Sequence, residues 1–164
     1  MVLVAAGEFT SMKHAPALGA ALCVAALFTP VARAQTNLYV GSNSSGVMTD
    51  FTSGTNAYDN TFVGYDPGAD SNTLNVLNTN TVLTNSGNLT VGGSISGNSL
   101  VTSNGGTVQS STAGRIGEIS FASNNSVLVT GTNSRWNLDG SVLLGDSSSE
   151  PHPNLRLTAK TYIP

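Results

Sequence analysis

Few side chains in this sequence could do chemistry. Beyond residue 35 there are eight carboxylates: Asp50, Asp59, Asp66, Asp70, Glu118, Asp139, Asp146 and Glu150. Glycoside hydrolysis needs two such groups facing each other across the scissile bond, and these are scattered along the chain. Carbohydrate lyases built on β-helices pair a carboxylate-bound calcium with basic residues. Arg115 lies near Glu118, but Arg135 falls in a different part of its repeat. Each acidic residue therefore reads as a solvated turn charge. Asp66-Pro-Gly-Ala-Asp70 could offer calcium two oxygen ligands, yet the Gly-Gly-x-Gly-x-Asp calcium repeat is missing; a plain turn is the expectation. His152, between two prolines, is the one histidine after residue 35, which leaves no metal cluster and no histidine-based triad. Gly92-Gly93 and Gly105-Gly106 are followed by no helix that could hold a phosphate, and Asn104-Gly105 reads as a turn. Trp136 is either a sugar-stacking platform or the cover of a coil edge, and the second is preferred. The expectation is no catalytic residue, no metal site and no cofactor, hence no enzyme.

Composition says what must position these groups. Charged residues are 9% of the chain and its net charge is -3, so a nucleic-acid partner held through its phosphates is not expected. From Gln35 to Pro164, Ser, Thr and Asn number 20, 17 and 17, with 16 Gly. Ala, Glu and Lys, which a helical protein needs, are almost absent there. Disorder normally accompanies high net charge, whereas this segment is nearly neutral and keeps Val, Leu and Ile spaced along its length. Short strands joined by turns are the remaining solution.

The first 34 residues follow another logic. Met12-Lys13-His14 is a basic start, Ala15 to Val31 a mostly apolar run, and Ala32-Arg33-Ala34 a small-x-small cleavage signal before Gln35. This predicts a secretory signal peptide, with cleavage between Ala34 and Gln35 and no stable membrane span afterwards. Met12 is the expected initiator. Cys23, the single cysteine, lacks the flanking residues of a lipid-anchor signal, since Ala20 and Leu22 occupy those places. The exported chain then has no disulfide, and a small secreted fold without one must be stabilised in another way.

Repetition is that way. A hydrophobic-Gly step recurs at Val40-Gly41, Val63-Gly64, Val91-Gly92, Ile116-Gly117 and Leu144-Gly145, at spacings of 23, 28, 25 and 28 residues. A fixed period of this size marks a solenoid or array. A second column reads Met48, Leu74, Leu100, Val127 and Leu155, and a looser third reads Tyr58, Val82, Val108 and Trp136. Alternation within Leu38-Tyr39-Val40 and Leu89-Thr90-Val91 has the period of 2 expected of strands with one face inward. Three short strands per unit predict a right-handed parallel β-helix of about five coils over residues 35–164, preceded by the signal-peptide helix of residues 1–34. Val40, Val63, Val91, Ile116 and Leu144 are the expected core stack. Two places before them stand Leu38, Thr61, Leu89, Gly114 and Val142, larger alternating with smaller, as a narrow layered core requires. An antiparallel sandwich is the alternative, but it requires no columns at constant period.

The stretch Asn85 to Val108 and its continuation through Ser123–Asn137 and Ser141–Gly145 resemble the β-strand repeat associated with type V secretion (autotransporter) and PEP-CTERM proteins. Gly131 to Trp136, a Gly-x-x-Ser-x-Trp segment, carries the likeness most clearly; it is good over residues 85–146 and weak over 37–84. The resemblance implies an exported, surface-displayed passenger of a Gram-negative bacterium: periplasmic, on the cell surface or extracellular. The family's translocator barrel and Val-Pro-Glu-Pro ending are not found here. Function is therefore expected to be structural, in adhesion or cell-surface contact, with a surface glycan or protein as ligand. A truncated, non-functional remnant of a longer gene and an exported carbohydrate-active β-helix enzyme are the alternatives. Open coil edges also predict end-to-end self-association.

Overall fold

A computed structural model describes residues 36–119, 121–145 and 156–160, all within the compact unit Arg33–Pro164. The expected signal helix and the Ala34/Gln35 cleavage site lie outside the described residues.

The strands are short and follow one another without an intervening helix among the described residues. The first coil is β1 (Leu38–Val40), β2 (Met48–Phe51) and β3 (Gly54–Tyr58); the second is β4 (Thr61–Val63), β5 (Thr73–Leu77) and β6 (Thr81–Asn85). A third holds β7 (Leu89–Val91), β8 (Ser99–Ser103) and β9 (Thr107–Ser110), and a fourth β10 (Gly114–Ile116), β11 (Ser126–Thr130) and β12 (Arg135–Leu138). A fifth is represented by β13 (Val142–Leu144) and β14 (Arg156–Lys160). Each strand pairs in parallel with its equivalent one coil away, which produces three sheets: β1-β4-β7-β10-β13, β2-β5-β8-β11-β14 and β3-β6-β9-β12. The described residues thus form a parallel β-solenoid of four complete coils with two strands of a fifth.

The ladder places Val40 on Val63, Val63 on Val91, Val91 on Ile116 and Ile116 on Leu144. The first four are at most 2% exposed, whereas Leu144 is 46% exposed. Leu144 keeps the register of the column but is exposed rather than buried. It lies on the last rung of its sheet among the described residues, and no further described strand covers it.

The other two columns need correction too. Leu74, Leu100 and Val127 stack as expected, but the rung before Leu74 is Thr49 and the rung after Val127 is Leu157. Met48, one residue out of phase, points outward and is 66% exposed; Leu155 lies outside the described residues. In the third sheet the column is Asn56, Leu83, Val108 and Trp136. Val82 neighbours the inward Leu83 and faces out, and Tyr58 sits two residues further along, opposite Asn85. Both slips arise because several inward positions (Thr49, Asn56, Thr81, Asn85) are polar, so apolarity alone does not mark them.

Large-small alternation in the first sheet has a specific partner across the core. A Cβ on Gly114 would lie 2.3 Å from the Trp136 ring, so the indole fills the space the glycine leaves. Where Thr61 replaces leucine, its hydroxyl meets the buried Asn85 Oδ1.

Corners are set by glycine and asparagine. Gly41, Gly64, Gly92, Gly117 and Gly145 all have φ between 65° and 74°, a region that side-chain-bearing residues rarely adopt. Beneath three of them lie fully buried asparagines. A Cβ on Gly41, Gly64 or Gly92 would come within 2.1–2.2 Å of the side chain of Asn72, Asn98 or Asn125, respectively. These asparagines form a ladder: Val47 N–H donates to Asn72 Oδ1 at 2.8 Å, Asn72 N–H to Asn98 Oδ1 at 2.9 Å, and Asn98 N–H to Asn125 Oδ1 at 2.8 Å.

Two outcomes are expected. Ile116→Asp strands an unpaired carboxylate in an apolar stack, at a cost of several kcal/mol, and should abolish the β circular dichroism signal; Ser94→Asp, on an exposed turn, should not. Asn98→Ala leaves the buried N–H of Asn72 without its acceptor, so it should lower the unfolding free energy by about 1–3 kcal/mol. Chemical denaturation against the exposed-site control Ser94→Ala checks this.

Candidate functional site

Four of the acidic side chains tie one coil to the next. Asp50 Oδ1 accepts from Asn75 Nδ2 at 2.7 Å and Asp59 Oδ1 from the Ser86 hydroxyl at 3.2 Å. Asp66 Oδ2 accepts from the Ser42 hydroxyl at 3.1 Å, one coil back, and Asp70 Oδ1 from the Ser96 N–H at 3.2 Å, one coil forward. The two carboxylates of Asp66-Pro-Gly-Ala-Asp70 thus turn to opposite neighbours instead of converging on a cation. Ala69 N–H closes a turn on Asp66 O at 3.0 Å. Glu118 pairs with Arg115 on the outside of the first sheet, while Arg135 is on the third sheet. Among the described residues, no three His, Cys, Asp or Glu side chains gather as a metal site. Asp146, Glu150 and His152 lie outside the described residues.

Trp136 is half-buried and packs against the core cluster. Its indole Nε1 is buried without a hydrogen-bond partner, and its ring is committed to the space opposite Gly114. It covers the core at the last described strand of its sheet.

The exposed aromatic feature lies elsewhere, on the outward face of the first sheet. Alternation turns Tyr39 and Phe62 outward on adjacent rungs, where they are direct ladder partners. Their rings stack with centroids 5.0 Å apart and planes 15° from parallel. Tyr65, just past the Val63-Gly64 step, packs on Phe62 at 4.6 Å and meets Tyr39 edge-on at 6.5 Å. Tyr39 is 45% exposed and Tyr65 is 40% exposed. Beneath Tyr65 lies Gly93, where a Cβ would come within 2.7 Å of the ring, so a glycine one coil later makes room for the tyrosine.

Hydrogen-bonding groups border this ridge on both sides. At one corner Asn37 Nδ2 donates to Tyr39 Oη at 3.3 Å, and Asn60 Nδ2 donates to Asn37 Oδ1 at 3.0 Å. At the other lies the Ser42–Asp66 pair. Further along the same outward column, Thr90 is only 2% exposed between Phe62 and Arg115 on its neighbouring rungs.

Reasoning from the sequence placed no site here, although it contains the signal. Once Val40 is set on Val63, the residues one place earlier must also be ladder partners, and both are aromatic. In a chain with 6% aromatic residues, two of them on consecutive rungs of one face, with a third adjoining, is a local concentration. Comparison of the chain with protein-family models, with curated proteins and with solved structures finds no match.

Proposed function

We propose that the chain is an exported, surface-presented β-solenoid passenger that acts structurally, in adhesion or contact at the surface of a Gram-negative cell. The observation that carries this reading is the ridge of Tyr39, Phe62 and Tyr65: two exposed tyrosine rings packed on a half-buried phenylalanine at fixed spacing on the outside of a parallel ladder. Exposed aromatic side chains with a polar handle are favoured at recognition surfaces, and a face built on consecutive ladder rungs keeps its shape when a partner arrives. The likeness of residues 85–146 to repeats of exported passengers supports the location, as does the basic-apolar-small pattern ending at Ala34.

Export comes first in the test. The mature protein recovered from outside the cytoplasm should begin at Gln35 on N-terminal sequencing, and a protease added to intact cells should remove it. An exported protein beginning at Met1 or Met12, or one recovered only in the cytoplasm, removes the proposal.

A further inference from the structure

We infer that the ridge of Tyr39, Phe62 and Tyr65 is a binding site for neutral glycan chains, an assignment that rests on the surface-contact reading above and names its ligand class. A sugar ring presents an apolar C–H face bounded by hydroxyl groups. It therefore needs an apolar surface with hydrogen-bonding groups beside it. Three touching aromatic rings supply the surface. Asn37 and Asn60 at one border, and Ser42 with Asp66 at the other, supply amide, hydroxyl and carboxylate groups within reach of its rim. The rings are pre-set by the ladder register of Tyr39 and Phe62, so little ordering entropy is lost on binding.

Charge narrows the ligand class. Between residues 36 and 91 the sequence has the carboxylates of Asp50, Asp59, Asp66 and Asp70 and no Lys, Arg or His. A sulfated or phosphorylated polymer would meet one sign of charge, its own, over both coils that carry the ridge. Ring geometry narrows it again. A quaternary ammonium is held inside a cage of separated aromatic faces, whereas these rings are packed on each other at 4.6 and 5.0 Å and leave no opening between them. A solid ridge suits a ligand lying across it, and an uncharged polysaccharide is such a ligand.

Affinity electrophoresis of the whole exported chain tests the assignment, with hydroxyethylcellulose, glucomannan or dextran in the gel and dextran sulfate as the anionic probe. At least one neutral polysaccharide should retard the protein, and dextran sulfate should not. Tyr39→Ala should weaken the retardation by about tenfold or more, the loss expected for one well-placed ring. Phe121→Ala, which removes a ring 79% exposed outside the ridge, should leave it unchanged. Tyr65→Ala gives a second reading, and a circular dichroism melt of each variant separates lost binding from lost fold. Three results would overturn the inference: no retardation by any neutral probe while the protein is folded, retardation by dextran sulfate alone, or retardation that survives both tyrosine substitutions. Self-association that Tyr39→Ala abolishes, without polysaccharide binding, would assign the ridge to a second copy of the chain instead. A protein that is displayed on cells but binds no glycan sinks this inference alone; failure of export sinks the reading beneath it.

Discussion

The structure depends on one repeated contact: a buried asparagine side chain lying where the Cβ of a residue in the preceding coil would be. Asn72, Asn98 and Asn125 each occupy that space beneath Gly41, Gly64 and Gly92. Each uses its Oδ1 to accept a backbone N–H from the preceding coil, half-buried at Val47 and buried at Asn72 and Asn98. Their Nδ2 groups are satisfied as well, by carbonyls of their own turns: Ala69, Ser96 and Ala122. A corner of a parallel coil has no neighbouring strand to satisfy its backbone, and an unpaired buried amide is costly. The asparagine solves that problem and fixes the vertical register of successive coils. Glycine is then required twice over, for its positive φ and for its missing Cβ.

This explains why the hydrophobic-Gly column was readable along its whole length in the sequence and the other two only in part. Glycine at the end of the first sheet's strands is a conformational necessity, so it marks the same structural position in every coil, whatever the lengths of the intervening loops. The second and third sheets have no such marker. Phase there had to be inferred from apolarity, and apolarity misleads where Met48 and Val82 face outward while Thr49, Asn56 and Thr81 face inward. The asparagine ladder carried its own signal at spacings of 26 and 27 residues. Read as a column, those residues put Leu74, Leu100 and Val127 two residues later in each coil and exclude Met48, which has no such asparagine before it.

Core packing across the coil obeys a similar exchange. Gly114 interrupts a column that has Leu89 on the rung before it, and Trp136, from another sheet of the same coil, brings its ring into the gap. Neither residue is intelligible alone. A tryptophan at the end of a polar segment resembles an exposed binding residue, and a glycine within a strand resembles a weak point. Together they conserve volume, which a close-packed interior demands. The compensating partner is about 20 residues away on a different face, so the exchange between the two is legible only once the coil is built.

Function in a solenoid of this kind has to be sought in departures from the period. Inward positions are committed to the stack and corner positions to backbone satisfaction. Even the carboxylates of the first two coils are occupied in holding one coil to the next, as Asp50 does with Asn75 and Asp59 with Ser86. Outward strand positions are the ones the fold leaves free, because nothing in the ladder constrains their side chains. On the first sheet that outward column runs Tyr39, Phe62, Thr90, Arg115 and Leu143. It changes character after two rungs, from aromatic to small and then charged. The core column one residue along stays Val, Val, Val, Ile, Leu throughout. Folding alone would be served by any β-branched residue at the outward places. Confinement of the rings to two rungs, with Gly93 clearing space for the third ring from the coil beyond, is a local arrangement that the repeat itself does not require.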